Sequence, residues 1–199
     1  SGGDWINMGP DHIESAAATA AQLESRLGTF SVRGDHEHFA HGLDRERSVA
    51  DVERAMKRHG VVMVNDEVRW FEHDGKRIAV LFINHNYPAP TTKATVDRLI
   101  GEAHGADYTI AITHQLDSKL TPLLVDRVDL ILGAHTHGGQ LNPVVGVVHV
   151  PLARLETPYT DGRYQSGKTT IIVTAGVGYS MVPFRYASPG SIEIIDLVL

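Results

Sequence analysis

The chain has 199 residues, 42% hydrophobic and 21% charged, enough for one sizeable core and ordinary for a globular protein. A formal net charge of −6 argues against a large nucleic-acid footprint, and no apolar run approaches the length of a membrane span. Twelve histidines stand against no cysteines, so disulfides and thiolate metal sites are excluded, and any metal must sit on His, Asp, Glu or Asn.

In chain order, residues 11–27 read as an Ala-rich helix, with Asp11 as a capping-type start and Gly28 beyond its end. A short strand over 29–33 runs into Gly34-Asp35-His36-Glu37. Residues 48–59 repeat apolar side chains at Val49, Val52 and Met56, with Gly60 after them, and predict a second helix. A strand over 61–65 follows. Strands over 68–73 and 76–84 flank Asp74-Gly75, a hairpin signal. A third helix is predicted over 92–104, with Val96, Leu99 and Ile100 inward. Strands over 108–113 and 128–132 end at His114 and ahead of His135-Thr136-His137-Gly138-Gly139-Gln140. Late strands are predicted over 144–150, 169–174 and 192–199 without helices between them, and 88–90 and 162–167 read as loops. Helices alternate with strands early and strands dominate late. That pattern predicts an α/β protein of two packed mixed sheets flanked by helices, folded as a single domain over 1–199.

Polar clusters recur where these strands end. Asp4 follows Gly3 at the head of the chain; Asp35 and His36 follow one strand; His114 ends another; His135 and His137 end a third. Strand side chains alternate, so residues two apart project to one side. In open α/β sheets, sites form outside the carboxyl ends of strands. The two glycines after His137 fit a loop that lets backbone and ligand approach closely. Each cluster has a bland alternative: Asp4 and Asp35 as turn residues, His114 as a cap, the two later histidines as surface residues near a turn. Together, in four equivalent places, they predict one crevice. Trp5 reads as core or site wall, and His38, His41, His85 and His149 as surface residues.

Gly3-Asp4-x-x-Asn7, Gly34-Asp35-His36-Glu37, Thr113-His114 and Ala134-His135-Thr136-His137-Gly138-Gly139-Gln140 resemble, in order, the motif series of calcineurin-like metallophosphoesterases. The Gly-Gly-Gln tail, with Pro183-Phe184-Arg185 and Ser191-Ile192-Glu193, resembles the YkuE-like phosphodiesterase branch. The resemblance implies a four-layer sandwich and a phosphoester hydrolase, acting on phosphodiester or pyrophosphate bonds. It also implies two divalent ions (Mn, Fe or Zn) clamping the phosphate and activating a bridging hydroxide. By resemblance Asp4 bridges both ions, Asp35, His114 and His135 complete the second site, and His137 serves the first. His36 stays off the metals and protonates the leaving oxygen or steadies the phosphate, a role suited to a residue that ordinarily titrates near neutrality. Arg185 is a candidate phosphate contact, or else an ion-pair residue, and Asn7 a candidate for orienting the metal shell, or else a turn residue.

Two departures accompany the match. The family opens with an Asp-x-His strand upstream of its Gly-Asp motif, whereas this chain starts at that motif, so an N-terminally incomplete domain lacking its first strand is expected. The missing part would be cleaved or supplied by another chain. The second metal site is then better preserved than the first. The family also usually has Asn where Asp35 stands, which adds a full negative charge beside the second ion. The expected partner is a phosphorylated small molecule or a lipid-linked nucleotide, with membrane association through segments outside this chain. The alternatives are a catalytically silent relative binding one metal or a phosphorylated ligand, and an accessory domain completing its site with a partner's strand.

Overall fold

The computed structural model describes residues 1–198. Its centre is a six-stranded mixed sheet made of β3 (Glu67–His73), β4 (Lys76–Ile83), β5 (Tyr108–Thr113), β6 (Leu130–Gly133), β9 (Gly162–Ser166) and β10 (Thr169–Val173). The spatial order is β3-β4-β5-β6-β10-β9, parallel from β4 through β10 and antiparallel at both edges. A second, two-stranded parallel sheet pairs β1 (Thr29–Ser31) with β2 (Val61–Met63).

Three apolar layers hold these sheets. One face of the large sheet packs Leu81, Ile83, Ala111, Ile131 and Ile171 on Val96 and Leu99 of α3 (Lys93–Glu102) and on Leu124 of α4 (Thr121–Leu124). Its other face sets Val80, Phe82, Ile110 and Leu130 against Val32, Val64 and Phe30 of the small sheet. Outside the small sheet, Val61 meets Ile13 and Ala17 of α1 (Ile13–Ala20) and Val52, Ala55 and Met56 of α2 (Arg45–Arg58). The stack is helices, small sheet, large sheet, helices: two sheets with flanking helices, as expected.

Local chemistry explains where several elements start. Asp44 caps α2 by accepting from the Arg47 amide, and Thr92 caps α3 by accepting from the Thr95 amide. Asp74-Gly75 turns the β3–β4 hairpin, both residues at positive φ.

Four predicted elements differ. The first helix stops at Ala20 rather than at 27. The 162–167 stretch is the edge strand β9, because its backbone pairs along β10 from Gly162 to Ser166. The 144–150 stretch is a tight hairpin, β7 (Val144–Val145) and β8 (Val148–His149), rather than one strand. No strand forms over 192–198, where Ile192 and Ile194 are exposed, and Leu199, the last residue of that predicted strand, lies outside the described residues. Two of the expected surface histidines are buried: His38 in the 3-10 turn His36–His38, and His85 just past β4, where its Nδ1 accepts from the Thr91 amide.

Candidate metal centre

The parallel strands deliver their following loops to one end of the sandwich. Asp35 follows β1, His114 follows β5 and His135 follows β6. Asp4 reaches the same place because two glycines pack face to face. A Cβ on Gly34 would collide with the Asp4 carboxylate and lie 2.7 Å from the Asp4 amide nitrogen; a Cβ on Gly3 would lie 2.9 Å from Gly34 Cα. The fully buried Glu37 carboxylate fixes this junction by accepting from the amides of Asp4 (2.9 Å), Trp5 (2.7 Å) and Gly34 (2.6 Å). Burial, then the neighbouring Asp4 charge, pushes the Glu37 carboxyl above its usual range.

Asp4, His114 and His135 bring one ligand atom each within 4.8 Å of one another. His114 Nε2 lies 3.3 Å from Asp4 Oδ2, 3.7 Å from Asp35 Oδ2 and 3.1 Å from His135 Nδ1. His135 Nδ1 is 3.0 Å from Asp35 Oδ2. The other nitrogen of each ring faces away from the centre: His114 Nδ1 donates to the Gly2 carbonyl (2.6 Å), and His135 Nε2 lies 3.1 Å from Glu156 Oε1. Asp35 Oδ1 accepts from the Tyr87 amide, and the Tyr87 ring meets His135 edge-on at 5.5 Å.

The electrostatics of the cluster favour positive charge at its centre. Burial disfavours the charged form of His114, yet the Asp35 and Asp4 carboxylates outweigh it and raise its pKa to about 10. His135 rises to about 9 against the same burial penalty, held up by Asp35 and Glu156. Burial opposes the ionised forms of Asp4 and Asp35, but His114 with His36 holds the Asp4 carboxyl, and His114 with His135 the Asp35 carboxyl, below the usual range. Two imidazole nitrogens 3.1 Å apart, between two carboxylates, form a site that protons or a metal could fill. The donor set of two nitrogens and two oxygens suits Mn, Fe or Zn.

A cleft of about 390 Å³ opens beside this cluster, lined by Asp4, Trp5, Asn7, His36, His137 and Tyr179 among others. His36 Nδ1 bonds the Asn7 carbonyl at 2.7 Å, its amide donates to Asp4 Oδ1, and its Nε2 faces the cleft near Ser180 Oγ. Asn7 thus meets His36 through its main chain, while its side chain is exposed. His137 lies on the cleft side of the cluster with a buried Nδ1 that has no hydrogen-bond partner; burial holds its pKa down, with Asp4 opposing. Arg185 does not line the cleft. Its guanidinium donates to the carbonyls of His137 (2.8 Å), Ala175 (2.7 Å), Gly176 (3.1 Å) and Gly178 (2.8 Å). It ties down the loop that carries His137.

That loop is conformationally costly. His135, His137 and Gln140 all have positive φ, which non-glycine residues adopt rarely. Gly138 and Gly139 are needed for packing, since a Cβ there would meet Ser188 Oγ at 2.6 Å and Pro151 Cβ at 2.7 Å respectively. Gln140 accepts from the Ser180 amide and donates to the carbonyls of Ser180 and Val182, building the opposite cleft wall. Glu37, Glu156 and Gln140 are the site-forming residues that sequence reasoning assigned no role. Glu37 and Gln140 lie inside the quoted motifs, while Glu156 carries no marker at all.

No family model matches the chain. It is 26% identical over 198 residues to a metallophosphoesterase of Helicobacter pylori, covering 99% of this chain and 50% of that protein. It is 26% identical over 202 residues to the metallophosphoesterase YkuE of Bacillus subtilis, covering 98% of this chain and 65% of that one. Over nearly its whole length, the chain is similar to proteins named metallophosphoesterases. A transmembrane protein with metallophosphoesterase domain from Bos taurus is 27% identical over 216 residues, covering 99% of this chain and 44% of its own length. The chain spans about half the length of the first of these relatives, and among the described residues no helix is long and apolar enough to cross a membrane. Among solved structures, the NAD nucleotidase of Haemophilus influenzae superposes with a TM-score of 0.55 at 14% identity, covering 87% of this chain and 35% of that one. The sulfate thiohydrolase SoxB of Thermus thermophilus gives 0.53 at 19% identity, covering 86% and 32%. At these identities the likeness is one of fold.

Proposed function

We propose that this chain is a catalytic domain for metal-dependent hydrolysis of a phosphodiester or pyrophosphate bond in a phosphorylated small molecule. The observation that carries this reading is the convergence of Asp4, Asp35, His114 and His135 from four separate segments around one point. These four would hold one divalent ion, with Asp4 shared toward a second ion on the His137 side. When bound, the two ions would supply Lewis-acid polarisation of the phosphoryl group and activation of a water nucleophile.

The chain's own residues account for the rest. Glu37 holds Asp4 in place through its amide. His36, fixed at Nδ1 by the Asn7 carbonyl, presents Nε2 to the cleft, where it would steady a phosphoryl oxygen or deliver a proton to the leaving oxygen. Trp5, Tyr179 and Met181 would enclose the leaving group. Arg185 would act on the substrate only through the His137 loop it secures. A lipid-linked nucleotide is one member of the proposed substrate class, and membrane attachment through other segments is consistent with the transmembrane relative.

The test is turnover of an aryl phosphodiester with added Mn²⁺, run alongside elemental analysis of bound metal. Mn²⁺-dependent turnover with two metals per chain is the expected result. A protein that binds one metal tightly and turns nothing over would replace the enzyme reading with a silent, single-metal one.

A further inference from the structure

The two imidazoles of the cluster present opposite nitrogens. His114 faces the centre through Nε2, because its Nδ1–H is spent on the Gly2 carbonyl. His135 faces the centre through Nδ1, and the group beside its Nε2, 3.1 Å away, is a carboxylate from a distant part of the chain, Glu156. Glu156 sits just past the short 3-10 helix Leu152–Leu155 and is itself constrained. Its Oε1 accepts from Gln115 Nε2 at 2.6 Å, and Gln115 is buried and directly follows His114. Its segment is tied to the ligand loop by Thr136 Oγ1, which donates to the Thr160 carbonyl, and is closed by the Thr157 amide donating to Ala153. One carboxylate therefore links the ends of β5 and β6, at the residue after one ligand and at the outer nitrogen of the other.

We infer that Glu156 is the positioning residue of the metal centre: by holding the Nε2–H of His135, it fixes that ring so that the Nδ1 lone pair points at the ion. An outer hydrogen-bond acceptor of this kind sets the tautomer and orientation of a ligating histidine and raises its basicity. The need is acute at His135. Its backbone lies at positive φ, 71°, and its ring is 16% exposed, so packing alone does not hold it. His114, 1% exposed, is held by its surroundings as well as by Gly2.

This inference rests on the metal centre proposed above, and the experiment separates the two. Mn²⁺ affinity is measured by chelator competition for the wild-type chain, E156A, E156Q and E156D, with the thermal unfolding of each metal-free form as a folding control. E156A is expected to bind Mn²⁺ about 10–100-fold more weakly. E156Q retains an acceptor oxygen and is expected to recover most of that loss, which a general structural role for the carboxylate would not produce. In the Zn²⁺-loaded protein, proton NMR should show the His135 Nε2–H as a slowly exchanging signal in wild type and E156Q, and not in E156A. If E156A fails to fold, E156D, which withdraws the carboxylate by one methylene, should show an intermediate loss. Wild-type Mn²⁺ affinity in E156A, or in E156D where E156A does not fold, overturns the role of Glu156 and leaves the centre standing. A wild-type chain that binds no Mn²⁺ overturns the centre itself.

Discussion

Asp35 sets the charge of the centre. With Asp4 it gives two carboxylates around two imidazoles, where a neutral Asn would leave one. A unit charge ~4 Å from an ion is worth a few kcal/mol at an effective dielectric of about 20. D35N is therefore expected to weaken Mn²⁺ at least about tenfold, and to raise turnover of an anionic phosphodiester per metal-loaded molecule, because the repelling charge is gone. Unchanged or lower turnover at saturating Mn²⁺ would defeat the charge argument. His137 makes a separate prediction. Its buried Nδ1, without a partner among the described residues, and its place in the cleft support the proposal that it holds the ion outside the Asp35–His114–His135 site, so H137A should lose one metal per chain by elemental analysis while the more tightly held ion stays. Loss of both ions would show that the two positions are not independent. The convergence of Asp4, Asp35, His114 and His135 was legible in the sequence because each follows a strand end or a Gly-Asp turn. Glu156 was not, since nothing periodic links it to His135, and the contact is created only by the path of the chain between them. Arg185 was legible as a site residue but not in its role, because its carbonyl partners are scattered over 137–178 and come together only in the fold.

Elements formed by local chemistry were read from the chain, and those formed by pairing were not. The β3–β4 hairpin follows from Asp74-Gly75 between alternating strands, and β5 begins and ends where its apolar run does. β9 is polar, with Arg163 and Gln165, and is bounded by Gly162 and Gly167; its extended form comes from β10 beside it. The reverse holds at 192–198, where alternating Ile192 and Ile194 resemble a strand but have no partner strand among the described residues. The junction of the chain's first turn with the loop after β1 is where element geometry bears on chemistry. G34A forces a methyl group into the Asp4 carboxylate, so the two loops must separate. Overpacking of this kind costs about 1–3 kcal/mol, and urea denaturation of the metal-free protein should show it as a lower midpoint. The same variant should also lose Mn²⁺, because Asp4 and its Glu37 anchor move together. A G34A protein with wild-type midpoint and wild-type metal affinity would mean that the junction is softer than this packing implies.

At the scale of the molecule, the proposed ligands tie together parts that the apolar layers hold only in pairs. Asp35 belongs to the small sheet with its outer helices, and His114 and His135 to the large sheet. Asp4 joins the two from the head of the chain. Without a metal, the cluster meets its own charge with protons on His114 and His135, whose pKa values stand at about 10 and 9. Those protons bind each ring to its carboxylates but do not join both sheets through one atom. A divalent ion would do so, and would bind the folded form alone, since its ligands come from four distant segments. Mn²⁺ at about a hundred times its dissociation constant should therefore stabilise the fold by about 2.7 kcal/mol. For a domain of this size that corresponds to a rise of roughly 5–10 °C in Tm. Chelator should reverse the rise, and Asp4→Ala should abolish it while folding in the metal-free state. Because the ion must displace the imidazole protons, the Mn²⁺ concentration needed for half the effect should fall as pH rises from 6 to 8. A Tm indifferent to Mn²⁺ in the wild-type chain would mean that the four side chains converge without forming a metal centre.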